Sequence, residues 1–211
     1  MNPITPSRMP EKFPARDLSD LAALIADTAL AHVGFTHEQR PVVIPIAVAY
    51  RDGNILLHGS TGSRWLRQLA TGVQVCAAIT ALDALVVARS AFESSMQFRS
   101  AVVFGACRPL GEDQKSEALD ALTEALIPGR VAEIRRPTGR ELAATLVLQL
   151  DIEDWTYKVS DGWSEDPEDD VAGEAWAGVL PLRTGYQAAE DAPNLRPGIA
   201  RPSSVQQLLT R

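Results

Sequence analysis

The sequence predicts a mainly β fold, an antiparallel β-barrel with added helices, and three observations carry that expectation. Apolar segments of β-branched or alternating character recur between residues 31 and 107 and again at 142–152. One pair of them is joined by Arg51-Asp52-Gly53-Asn54, a hairpin turn centred on Asp-Gly, where Gly supplies the positive φ such turns need. The strand–helix–strand alternation that a parallel sheet requires does not run through the chain.

Composition narrows the classes. Of 211 residues, 45% are hydrophobic and 22% charged, enough to bury a core and too apolar for a disordered polymer. The net charge of −7 is unevenly placed. Residues 1–150 hold 15 basic and 15 acidic side chains, and residues 151–211 hold 5 and 12. No large basic face results, which argues against a nucleic-acid binder or a protein of anionic membrane surfaces. Residues 1–14 carry four prolines and no apolar core of a signal peptide, and no stretch matches a membrane span. Cys76 and Cys107 lie in separate apolar strands, the usage of buried thiols in a reducing compartment. A cytoplasmic protein is expected.

In order along the chain, residues 1–16 form a Pro-punctuated arm, 17–182 one domain, and 183–211 a tail. Leu18, Leu21, Leu24 and Ile25 share a helical face over residues 17–30, with Asp17, Ser19 and Asp20 as caps. Strands follow at 31–35, 42–50 and 55–58, the second bent or at an edge because Pro45 removes a ladder donor. Residues 60–71 read as a short helix with Trp65, Leu66, Leu69 and Ala70 inward and Gly72 as its stop. Strands are expected at 73–79, 85–88 and 98–107, with Asp83 in a corner and a polar crossing at 90–97. Residues 112–127 give the clearest helix, with acids in its first turn and Pro128-Gly129 after its end. The last long strand spans 142–152, with Leu142, Leu146, Leu148 and Leu150 on one face. An acidic loop at 165–170 and the apolar run 176–182 complete the domain. Lys158, the one base among ten acids from 151 to 174, is expected in an ion pair, and Trp176 in a core or interface.

The segment most suggestive of chemistry is His58-Gly59-Ser60-Thr61-Gly62-Ser63-Arg64, which leaves a strand and enters a helix. Small residues admit a ligand to the backbone, free amides at a helix start attract an anion, and Ser63 and Arg64 add donors. The alternative is that Ser60 or Thr61 caps the helix and Arg64 points to water. The segment lacks the Gly-Lys-Ser/Thr ending of a P-loop and contains no Gly-x-Ser-x-Gly elbow. His32 and His37 are five apart, a spacing that suits no shared metal ligation, so no metal site is expected. His58 is either a wall residue or part of the anion site. Arg89, Arg99 and Ser100 either face a ligand or solvate a loop.

Taken together these stretches resemble the pyridoxamine 5'-phosphate oxidase-like, FMN-binding split-barrel family, and within it short bacterial flavin-binding proteins that include nitroimidazole-resistance proteins. The resemblance spans about residues 31–182. It is carried by Ala31-His32-Val33-Gly34-Phe35, the 55–64 segment, Thr80-Ala81-Leu82-Asp83, Ala88-Arg89-Ser90-Ala91-Phe92, Ser95-Met96, Phe98-Arg99-Ser100 and Trp176-Ala177-Gly178-Val179-Leu180-Pro181-Leu182. It implies a six-stranded Greek-key split barrel that forms a homodimer, with FMN between the subunits. By this likeness Ser63 and Arg64 match the phosphate-binding Ser-Arg, while Thr80 and the backbone of Pro45, Ile46 and Ala47 border the flavin ring. Ser100, beside Arg99, turns toward the flavin, and Trp176 reaches it from the other chain. The sequence departs from the pattern at Glu93-Ser94, where two histidines are common, at Gln97-Phe98 and at Ala84. The substrate-phosphate motif of vitamin B6 oxidases is not recognisable near the C-terminus.

The implied function is an FMN-dependent oxidoreductase that passes electrons from a reduced nicotinamide to a small-molecule substrate, with no catalytic acid or base assigned and His58 and Arg99 as candidates. The alternatives are a non-enzymatic protein holding FMN or haem for storage or sensing, in which His32 or His58 would be the axial ligand, and a dimer that binds no flavin.

Overall fold

A computed structural model describes residues 12–13 and 17–210; most of the expected N-terminal arm lies outside the described residues. Helix α1 (Leu18–Thr28) opens with Asp17 as N-cap, in a capping box with Asp20, and buries Leu21, Leu24 and Ile25. Strands β1 (Leu30–His37), β2 (Arg40–Arg51) and β3 (Asn54–Ser60) follow. Asp52 and Gly53 both have positive φ, 50° and 79°, the type I′ geometry that matches the twist of the flanking strands. Then come α2 (Arg64–Leu69), β4 (Gln74–Val87), β5 (Ser95–Pro109) and α3 (Glu112–Leu126). The chain continues with α4 (Gly139–Ala144), β6 (Thr145–Ser160), α5 (Glu168–Val171), β7 (Gly178–Pro181) and α6 (Ser203–Leu208).

The sheet runs β1-β2-β3-β6-β5-β4, and β4 pairs back with β1, so six strands form a ring; β7 joins β4 farther along the same edge. The mainly antiparallel six-stranded expectation is therefore met, with a seventh short strand added. Contacts group the chain into two units. The first comprises Met1–Ile46, Gln74–Ala106 and Ile152–Arg183, and the second Ala47–Val73, Cys107–Asp151 and Thr184–Arg211. The segment expected as a tail carries α6, tied down where the amide and hydroxyl of Ser204 donate to Glu133.

In the first unit the buried rungs are Val33, Ala77 and Val103, with Ile79 opposite Ala101. In the second, Ile55 faces Leu150 and Leu57 faces Leu148, all fully buried. The other face of β3 packs Leu56 with Ala49, Val147, Leu110, Ala118 and Leu122, the last two from α3.

Three expectations about elements are corrected. Residues 74–87 form one strand, because Asp83 sits in a β-bulge between Leu82 and Ala84 and the pairing resumes beyond it. Leu142 belongs to α4, whose start is fixed by a Thr138/Glu141 capping box, and the following strand extends eight residues past 152 to Ser160. Lys158 lies 5.1 Å from the Phe98 ring centre and 6.0 Å from that of Phe13, a cation–π site, and among the described residues it makes no ion pair. Both cysteines are free. Burial, with Asp151 adding to it, pushes the Cys107 thiol up to about 12, and burial raises Cys76 too, so neither is a thiolate at neutral pH.

Candidate functional site

In the second unit the chain leaves β3 through a tight, tied loop. The amide and hydroxyl of Thr61 both donate to Ala144 O, at 3.0 and 3.3 Å. Gly62 N donates to Ser60 Oγ and Ser63 N to Ser60 O. Gly59 packs closely here: a Cβ on it would stand 3.2 Å from Leu66 Cδ2, tight enough that the leucine would have to shift. Leu66 and Leu69 are fully buried and anchor α2, which fixes the backbone of Ser63 and Arg64.

Ser63 is the N-cap, yet its side chain makes no capping bond, and neither Ser60 nor Thr61 occupies that position. Arg64 is exposed and, among the described residues, has no ion pair or hydrogen-bond partner. Helix α2 has only six residues, so its dipole adds little to any anion binding. What the loop offers is a hydroxyl and a guanidinium on a fixed backbone.

His58 sits on the α3-facing side of β3, opposite Val147 and one rung from Leu56. Its Nδ1 is buried without a hydrogen-bond partner among the described residues, and burial lowers its pKa from the usual 6.5. The unfolded chain takes up this proton near 6.5 while the folded chain resists it, so stability is lost as pH falls below 6.5 and levels off beneath the folded value. Thermal unfolding at pH 7.5 and 5.5 should show a smaller drop for His58→Gln than for the native chain; equal drops would rule out this role.

In the first unit, two of the expected residues meet. Thr80 and Ser100 are direct partners across β4 and β5, with side chains on the face opposite the buried Ile79–Ala101 rung. Thr80 is exposed and Ser100 half-buried. Pro45 is exposed on β2 and Ile46 half-buried; in the second unit Ala47 is half-buried.

Arg99 is directed elsewhere. Its Nε and Nη2 make a two-pronged contact with Asp83, at 3.0 and 2.9 Å, and Nη1 reaches Asp27 of α1 at 2.8 Å. These partners raise its already high pKa and leave it a strut between β5, the β4 bulge and α1. Trp176 is 65% exposed, so it is no core residue of this chain, and its ring folds over Gly178, where a Cβ would come within 2.7 Å.

A cleft of about 600 Å³ in the first unit, lined by Phe92, Met96 and Trp163 among others, has no counterpart among the residues expected from the sequence. Its walls come from segments some 70 residues apart, and no local pattern announces such a meeting.

The match to known proteins agrees with this architecture. The family model described as pyridoxamine 5'-phosphate oxidase matches residues 17–159, about two thirds of the chain. The chain belongs to this family. It is also similar, at 44% identity and TM-score 0.89, to the structure of the FAD and haem binding protein from Mycobacterium smegmatis, covering 92% of this chain and 96% of that one. The flavocytochrome Anf3 from Azotobacter vinelandii is 30% identical at TM-score 0.86, over 96% of this chain and 94% of its own. A candidate 5-nitroimidazole antibiotic resistance protein from Bacteroides thetaiotaomicron shares the fold at 20% identity and TM-score 0.59, over 69% of this chain and 85% of that one. Among curated proteins nothing matches the sequence. No helix among the described residues is long and apolar enough to cross a membrane, and no group of three or more metal-ligating side chains occurs among them.

Proposed function

We propose that the chain is a flavin-binding protein of oxidoreductase type. The observation that carries this reading is its 44% identity, over nearly the whole length of both chains, with a FAD and haem binding protein. The donor set fits. Ser63 and Arg64 present only unspent donors to the anionic part of a ligand, and FMN and FAD both carry a phosphate that would be held there. FMN is the flavin implied by the sequence resemblance; the 44% identity favours FAD as the resident species. Thr80 and Ser100, on adjoining strands, suit the edge of a flavin ring by hydroxyl contacts, and the family resemblance adds the backbones of Pro45, Ile46 and Ala47. Arg99 acts as a positioning residue that fixes β5 beside Ser100. A bound flavin would supply the redox chemistry between a reduced nicotinamide and a small-molecule acceptor.

The chain is proposed to act as a homodimer, with Trp176 meeting the flavin of the partner copy. Leu82 and Leu85 on β4, Leu180 on β7 and Leu182 just after it are each 41–51% exposed, apolar surface of the kind that a second copy would cover.

Haem is a second reading, favoured by His32. Its imidazole is exposed on β1, opposite Ala78 and beside Gly34, a low surface on which a flat macrocycle can lie. His58, half-buried with Nδ1 enclosed, is the poorer axial ligand. Anaerobic mixing of the flavin-loaded protein with NADH or NADPH tests the main reading. Bleaching of the flavin band, followed by reoxidation with an added acceptor, is expected; a band untouched by both donors contradicts the redox role. Addition of haemin should give a Soret band that His32→Ala abolishes; a band that survives this change contradicts His32 as ligand.

A further inference from the structure

The cleft of the first unit is built from two pinned walls. One is the 90–96 turn, where Ser94 Oγ donates to Ser90 O and Glu93 N to Ser90 Oγ, at 2.8 and 3.2 Å. The other is the segment after β6. There Gln97 Nε2 donates to the carbonyls of Asp161 and Gly162, and Ser160 Oγ to Met96 O. Asp166, its side chain only 2% exposed, accepts from the Arg89 amide, the Arg89 guanidinium and Ser164 Oγ. Burial alone would raise the Asp166 pKa, and these bonds outweigh it and hold it below the ordinary range. Such bracing means that little ordering is left to do when a ligand arrives.

What the walls present is specific in character. Phe92 is 92% exposed, Trp163 73% and Met96 48%, large apolar groups left open to water. Around them stand the carboxylates of Glu93, Asp161 and Glu165 against one base, Lys12. None of the three carboxylates takes part in a hydrogen bond or ion pair with the described residues, so among these the lining carries three acids against one base. Aromatic faces are electron-rich and attract cations, as Lys158 over Phe98 shows within the same unit. A volume of about 600 Å³ suits a small molecule.

We propose that this cleft is a binding site for a small aromatic organic cation, its ring against Phe92 and Trp163 and its charge facing Glu93, Asp161 and Glu165. This does not rest on the flavin reading, since neither Ser63 nor Arg64 lines the cleft.

Calorimetric titration of the full chain with benzyltrimethylammonium tests it, with benzyl alcohol and benzenesulfonate as neutral and anionic counterparts. The cation should bind in the micromolar to millimolar range, more tightly than either counterpart, and more weakly as salt is added. Trp163→Ala should weaken it by about three- to thirty-fold, and Glu93→Gln, which removes the charge and keeps the side chain's size, by several-fold. No binding of the cation, or equal binding of benzenesulfonate, overturns the proposal. So does unchanged affinity in both variants. Flavin content is read by absorbance in the same samples. If both variants keep it, the two sites are separate as proposed; loss of flavin from Glu93→Gln would place the cleft inside the flavin site and overturn the assignment.

Discussion

Arg64→Ala is expected to weaken flavin binding by about 1.5–3 kcal/mol, the contribution of one charged hydrogen-bonding group to an anionic ligand. That is roughly a ten- to hundredfold change or slightly more in dissociation constant. The side chain is exposed and without a partner among the described residues, so its removal takes nothing from the fold. Arg64→Lys should recover only part of the loss, because an ammonium keeps the charge but not the planar fork. Fluorescence titration of the flavin-free protein measures both, and affinity unchanged by Arg64→Ala would remove the phosphate assignment.

Leu66→Ala is expected to cost about 2–5 kcal/mol of stability, read from the urea midpoint. Leu66 is fully buried in α2 and fills the space left by the missing side chain of Gly59. Its loss opens a cavity under α2, the helix that Ser63 caps and Arg64 begins, so flavin affinity should fall along with stability. Leu66→Met, which nearly conserves volume, should cost less than about 1.5 kcal/mol. A loss below about 1 kcal/mol for Leu66→Ala would mean that α2 is not anchored as described.

Much of this was legible in the sequence wherever the cause was local. The Asp52-Gly53 turn, the Asp17 cap of α1 and the stripe of α3 are each set by residues within a few positions of one another. The capping pair Thr138 and Glu141 was an available signal for α4, outweighed by the alternating leucines that follow it. The Asp83 bulge could not be read locally, because a bulge is defined by the partner strand. For the same reason the sequence leaves Arg99 open between a ligand contact and a solvated loop: Asp83 and Asp27, which engage it, lie 16 and 72 residues away. At the candidate site, Ser63 and Arg64 stand out by motif and small-residue spacing, and among the described residues the Ser63 hydroxyl and the Arg64 guanidinium have no partner. Thr80 and Ser100 were singled out separately, and only the register of β4 against β5 makes them neighbours. The cleft of Phe92 and Trp163 had no sequence signature at all.

Whether this protein holds a flavin is read from the visible absorption spectrum of the protein as purified, repeated after incubation with excess FAD and FMN and removal of the free nucleotide. A yellow protein carrying one flavin per chain is expected, with Arg64→Ala markedly depleted. A colourless protein that retains neither nucleotide would contradict it.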